Sequence, residues 1–180
     1  HLVINKLNPF FEKAFIYDSY SCRVGKGTHL GIKRLSRFIR QCSDNYKNDC
    51  YILKLDIKSF FMSIDKSLLF QKLTEFIHAG YTGRDKDLII WLCEKIITND
   101  PTKNCIIKGK RSKWNGLPKD KSFFTAKKNC GLPIGNLTSQ VFANLYLNDF
   151  DHFIKHTLNI RYYGRYVDDF FIVQSDKEYL

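Results

Sequence analysis

The chain has 180 residues, 44% hydrophobic and 15% aromatic, which excludes a disordered chain and suffices for one domain or two small lobes with a buried core. Lys and Arg number 29 against 18 Asp and Glu, and the resulting net charge of +11 favours an anionic partner, nucleic acid foremost, over a merely basic soluble protein. The six cysteines (Cys22, Cys42, Cys50, Cys93, Cys105, Cys130) and five histidines are scattered without zinc spacing, no apolar run approaches ~20 residues, and no signal peptide is visible. A reduced cytoplasmic compartment and no membrane association are therefore expected.

In chain order, NPFFEKAFIY (8–17) reads as a short helix with Pro9 in its first turn. A basic loop follows in which Gly25 and Gly27 bracket Lys26, just after Arg23. Such a loop lets backbone and cations approach a phosphate, although it lacks the Walker spacing. The next segment is an amphipathic helix to residue 41. Leu30, Ile32, Leu35, Phe38 and Ile39 are expected inside, with Lys33, Arg34, Arg37 and Arg40 outside. CYILKLDIKSFFMSI (50–64) reads as a buried strand ending in a turn. Helices are predicted over 66–79, with Asp65 as N-cap, and over 85–98. Residues 99–129 are polar, basic and Gly/Pro-punctuated, as in a hairpin or extended loop. From Gly131 a turn leads into one long helix carrying Val141, Phe142, Leu145, Phe150, Phe153 and Ile154 at helical spacing.

RYYGRYVDDFFIVQSD (161–176) then reads as a hairpin with Asp168 and Asp169 at its turn. Asp is common in turns, so the pair alone decides nothing. Two carboxylates about 4 Å apart repel by roughly 4 kcal/mol at an effective dielectric of ~20, a cost that a bound cation would offset. Asp56 sharpens the question. A carboxylate within YILKLDIKSFF costs several kcal/mol unless it is ion-paired, with Lys54 or Lys58, or metal-bound. If the two strands are neighbours, three carboxylates converge on the oxygen-rich ligand set that hard divalent cations prefer.

LDIKSFF, GLPIGNLTSQVFANLYLNDFD and RYVDDF, in that order, resemble the successive palm motifs of reverse transcriptases, and SYSCRVGKGTH resembles the fingers motif that precedes them. The resemblance spans nearly the whole chain. It implies an α+β right-hand polymerase, with a ferredoxin-like antiparallel palm sheet packed on helices and no thumb. Residues 1–48 would be partial fingers, 49–80 the first part of the palm, 81–130 a fingers/palm insertion and 131–180 the second, truncated part of the palm. Both ends look cut from something longer, and a chain without a thumb should polymerise poorly.

The same resemblance implies an RNA-directed DNA polymerase that joins dNTPs to a primer 3′-hydroxyl with two Mg²⁺ ions, for which Mn²⁺ can substitute. Asp56, Asp168 and Asp169 would be catalytic metal ligands, and the Ile57 carbonyl a further ligand. Phe61 would be the gate against a ribose 2′-hydroxyl, with core packing as its alternative role since Phe60 could serve either. Arg23 and Lys26 would grip the triphosphate, and Ile134 and Gly135 would border the dNTP. Most reverse transcriptases have Gln where Ile134 stands and Pro where Gln140 stands. The form here resembles the enzymes of diversity-generating retroelements, which implies error-prone cDNA synthesis at template adenines. A retron, group II intron or phage-defence enzyme is the alternative, and a non-catalytic nucleic-acid-binding module a further one. The partners implied are an RNA template, a DNA or RNA primer, dNTPs and a small basic helical accessory protein.

Overall fold

The computed structural model describes residues 1–180, which divide into two compact units: 1–8 with 59–142, and 9–58 with 143–180. Helix α1 (Leu2–Ala14) contributes residues to both. It begins earlier than the expected 8–17 because Val3, Ile4, Leu7 and Phe11 already form a buried stripe, so Pro9 lies inside the helix.

In the first unit a one-turn helix α3 (Phe60–Ser63) leads into α4 (Lys66–Gly80), and α5 (Lys86–Thr98) packs against α4. Leu69, Leu73 and Ile77 on one helix and Ile89, Cys93 and Ile97 on the other are buried at four-residue spacing, which makes each a single apolar face. Asp65 caps α4, accepting a hydrogen bond from the Leu68 N–H at 3.0 Å. Gly83 in the turn between the helices is required by a close approach, since a Cβ there would lie 2.5 Å from the Tyr81 ring. Residues 99–136 carry no strand and only two short 3₁₀ turns, Arg111–Trp114 and Lys119–Lys121. The chain returns to the α3–α4 connection through Gly131 N–H to Ile64 C=O (2.9 Å) and Leu132 N–H to Phe61 C=O (2.8 Å).

The second unit is built on a three-stranded antiparallel sheet. Strands β1 (Tyr51–Asp56), β2 (Tyr162–Tyr166) and β3 (Asp169–Gln174) lie in the order β1-β3-β2. Helix α2 (Thr28–Cys42) covers one face, where Phe38 packs on Tyr162 and Phe171. The other face buries Tyr163 and Phe170 with Ile16, Ile154 and Ile160.

Three expectations need correction here. Strand β1 lies at the sheet edge rather than inside it, so Ile52 and Leu55 are exposed and Asp56 ends the strand in solvent. On α2, Ile32 is exposed rather than buried, and Arg34 turns inward to bind the buried Asp18 (Nε–Oδ1 2.7 Å, Nη2–Oδ2 2.9 Å). The single helix expected after residue 136 is broken into α6 (Leu137–Tyr146), α7 (Asn148–His152) and a π turn, Phe153–Thr157. Asp151 and Ile154, three residues apart on one face, are both buried, while Phe153 is half exposed. No helix is long and apolar enough to cross a membrane.

Candidate active site

The site is organised by the β2–β3 hairpin. Tyr166 pairs with Asp169, leaving Val167 and Asp168 as a two-residue turn. Val167 has φ 58°, so the first turn position is left-handed, as in the mirror-image turns whose twist suits a hairpin. A β-branched residue there costs ~1–2 kcal/mol, and something must hold it.

Arg165 does so. Its Nη1 donates to the Val167 carbonyl at 2.7 Å and to Asn144 Oδ1 at 3.1 Å. Its Nε and Nη2 form a fork on Asp151, at 2.7 Å to Oδ1 and 2.6 Å to Oδ2, and neither side chain has any exposure. The Tyr163 hydroxyl donates to the same carboxylate at 2.5 Å. Burial opposes the guanidinium charge, but hydrogen bonding and charge from Asp151 hold its pKa above the ordinary value. Burial, with the Asp151 charge, likewise pushes the Tyr163 phenol up. Behind β2, the Arg165 N–H donates to the Asp18 carbonyl (2.9 Å) and its carbonyl accepts from Tyr20 N–H (3.0 Å), which fixes the strand's outer edge.

The carboxylates gather at the end of this sheet. Asp56 sits directly opposite Asp169 in the β1–β3 register, and the Ile57 N–H donates to the Asp168 carbonyl at 3.3 Å. The Asp168 carboxyl is shifted up, first by partial burial and then by the charges of Asp56 and Asp169. Asp56 forms the ion pair of the alternative reading with neither Lys54 nor Lys58; Lys54 Nζ instead lies 3.1 Å from Asp169 Oδ1, in a pair open to solvent. No three His, Cys, Asp or Glu side chains already converge on a common metal position. The donor chemistry nevertheless fits a hard divalent cation: three carboxylates share one sheet end, and their mutual repulsion is the kind a cation offsets. An apolar groove of about 340 Å³ runs along this face between α2 and the sheet, lined by Tyr20, Ile32, Leu35, Ile52 and Phe171, and reaches Asp169.

The remaining candidates fall out differently. Arg23 is buried, its side chain only 4% exposed, and its Nε, Nη1 and Nη2 bind Glu12 and the carbonyls of Ile16 and Ser19 at 2.6–3.1 Å. Here the guanidinium closes the loop before α2. Lys26 lies over the Tyr17 ring at 4.2 Å and donates to the Tyr17 carbonyl, and burial followed by the Arg23 charge lowers its pKa. Phe61, Ile134 and Gly135 belong to the first unit, whereas the aspartates, Ile57, Arg23 and Lys26 belong to the second. Of the two phenylalanines left open above, Phe60 is buried and Phe61 is partly exposed, packed edge-on at 5.5 Å. Ile134 is 67% exposed, and Gly135, with φ 98°, makes the turn that precedes α6.

The sequence reading missed Arg165, Asp151 and Asn144. A signal was present: Arg165 shares a strand face with Tyr163, inside an otherwise apolar hairpin, and a lone cation on such a face needs a carboxylate.

A family model described as reverse transcriptase (RNA-dependent DNA polymerase) matches residues 1–180. No curated protein matches the chain. With the match covering the whole sequence, and the paired aspartates standing on a hairpin turn beside a third on the neighbouring strand, the chain belongs to the reverse transcriptase family.

Proposed function

We propose that the chain is the fingers and palm of a right-hand polymerase that copies RNA into DNA. The observation that carries this reading is the register of β1 against β3, which sets Asp56 opposite Asp169 and beside Asp168. Residues 1–48 supply partial fingers, 49–80 and 131–180 the palm, and 81–130 the insertion between them. Asp56, Asp168, Asp169 and the Ile57 carbonyl would hold two Mg²⁺ ions. When bound, these ions lower the pKa of the primer 3′-hydroxyl and neutralise charge on the leaving pyrophosphate. In the reaction the 3′-oxygen bonds the α-phosphorus, the bond to the β-phosphate oxygen breaks, and the hydroxyl proton is lost. Asp169 must exchange Lys54 for a cation, and the exposure of that pair makes the exchange inexpensive. Phe61 is the candidate sugar gate, and Lys26 remains a candidate for the triphosphate, its ammonium less firmly protonated than usual.

The subtype we favour is the polymerase of a diversity-generating retroelement, working with a primed RNA template and a small basic helical protein. Ile134 supports it, because an exposed isoleucine offers apolar contact where a glutamine could hydrogen-bond the incoming nucleotide. One lost polar contact weakens discrimination by ~1–3 kcal/mol. The test is cDNA synthesis on primed RNA by the complete natural polypeptide, with the products sequenced. Wild type should misincorporate opposite template adenines, and Ile134→Gln should reduce those errors about tenfold or more. An unchanged error spectrum would remove Ile134 from the account, and faithful wild-type cDNA would favour a retron or group II intron relative.

A further inference from the structure

The positive charge of this chain is concentrated. Between Lys103 and Lys128 lie nine Lys or Arg residues and one carboxylate, so this segment supplies most of the net charge of +11. All nine cations are exposed, and the one acid, Asp120, accepts a hydrogen bond from Ser59 Oγ at 2.6 Å. A run of lysines is ordinarily just a solvated face. Three further features set this one apart.

The first is a cavity of about 310 Å³ at the foot of the segment, lined by Lys66, Lys103, Lys127 and Lys128. The carboxylate on its wall, Asp100, is turned to its own loop, accepting from the Thr102 N–H (2.9 Å) and hydroxyl (2.7 Å). Lys66 Nζ donates to the Asn99 carbonyl at 2.8 Å, and the exposed Lys103, Lys127 and Lys128 give the rim of this space a positive charge that suits an anion. The second is a pair of rings, Trp114 and Phe124, with centroids 5.3 Å apart; Phe124 is 45% exposed. They place aromatic surface among the cations. The third is the backbone: apart from the two 3₁₀ turns it is irregular, with Gly109 and Gly116 at φ 88° and 90°. A surface of this kind can follow a flexible strand, whereas a duplex demands a fixed spacing of cations.

We propose that residues 103–128 are a docking surface for a single-stranded stretch of RNA, its phosphates held by the lysines and an unpaired base stacked at Trp114 and Phe124. The choice of RNA over another polyanion rests on the reverse transcriptase reading; the surface itself rests on the charge, the cavity and the rings.

The test measures binding of a fluorescein-labelled, unstructured single-stranded RNA of about 20 nucleotides to the complete natural polypeptide, by anisotropy, over about 50–200 mM salt. The variant carries Lys108→Gln, Lys110→Gln, Arg111→Gln and Lys113→Gln; a matched variant carries Arg at the three lysines. The glutamine variant should bind at least tenfold more weakly at about 100 mM salt, with a log–log salt slope shallower by roughly 2–3. The arginine variant should keep both values, which separates lost charge from lost folding. Trp114→Ala should narrow the preference for single-stranded over duplex RNA. With saturating primed template, the glutamine variant should keep its turnover within about twofold and raise the KM for template. Equal RNA affinity and slope in wild type and glutamine variant would overturn the proposal, as would binding to anionic phospholipid vesicles in place of RNA. If the polypeptide makes no DNA yet the glutamine variant loses RNA, the polymerase reading fails and the docking surface stands.

Discussion

Arg165 carries a full charge with no exposure, on the strand that presents the paired aspartates. Such a charge survives burial only because Asp151 matches its fork, and because Tyr163 and Asn144 complete the network. Removing one partner strands the other. Arg165→Met should therefore destabilise the fold by about 3–5 kcal/mol, measured by urea denaturation, and adding Asp151→Leu should recover most of that loss. Asp168 behaves in the opposite way. Its carboxyl is raised above the unfolded value of 3.8, so its ionisation is a cost that appears as pH rises from 3.8 through the raised value and is absent below. Asn at this position escapes that cost, so Asp168→Asn should be at least as stable as wild type at neutral pH. The aspartates themselves were legible in the sequence because they interrupt apolar strands. Arg165 was not, because its partner lies fourteen residues upstream on a different element. The contacts of Arg23 with Glu12 and two carbonyls were not legible either, because Glu12 lies eleven residues upstream on another element.

At the level of elements, the hairpin stores its strain at Val167 and offsets it through the Arg165 hydrogen bond to the turn carbonyl. Val167→Gly removes the steric cost of the left-handed conformation and should stabilise the fold by roughly 0.5–1 kcal/mol in thermal or urea melts. A loss of stability on this change would mean that the valine side chain packs more than it strains. The four-residue apolar spacing of α4 and α5 and the unbroken apolar run Phe170–Val173 of β3 made those elements readable. The break after α6 was hidden, since Val141, Phe142, Leu145, Phe150 and Ile154 keep near-helical phase through it. The edge position of β1 was equally hidden, because strand order is a property of the sheet and not of YILKLD.

For the molecule as a whole, the two kinds of charge occupy different segments. The cations concentrate in residues 103–128, and three aspartates stand at one end of the sheet. Electrostatically, the first suits a polyanion and the second suits a divalent cation, which together are the requirements of nucleotidyl transfer on a nucleic acid. The family match accords with that division. The most direct measurement is single-turnover incorporation of one dNTP onto a primed RNA by the complete natural polypeptide, comparing wild type with Asp56→Asn and Asp168→Asn across a Mg²⁺ titration. The account predicts incorporation that requires template and Mg²⁺, and that falls by at least about 10³-fold in either variant while both remain folded. Incorporation that survives either substitution, or that proceeds without template, would contradict it.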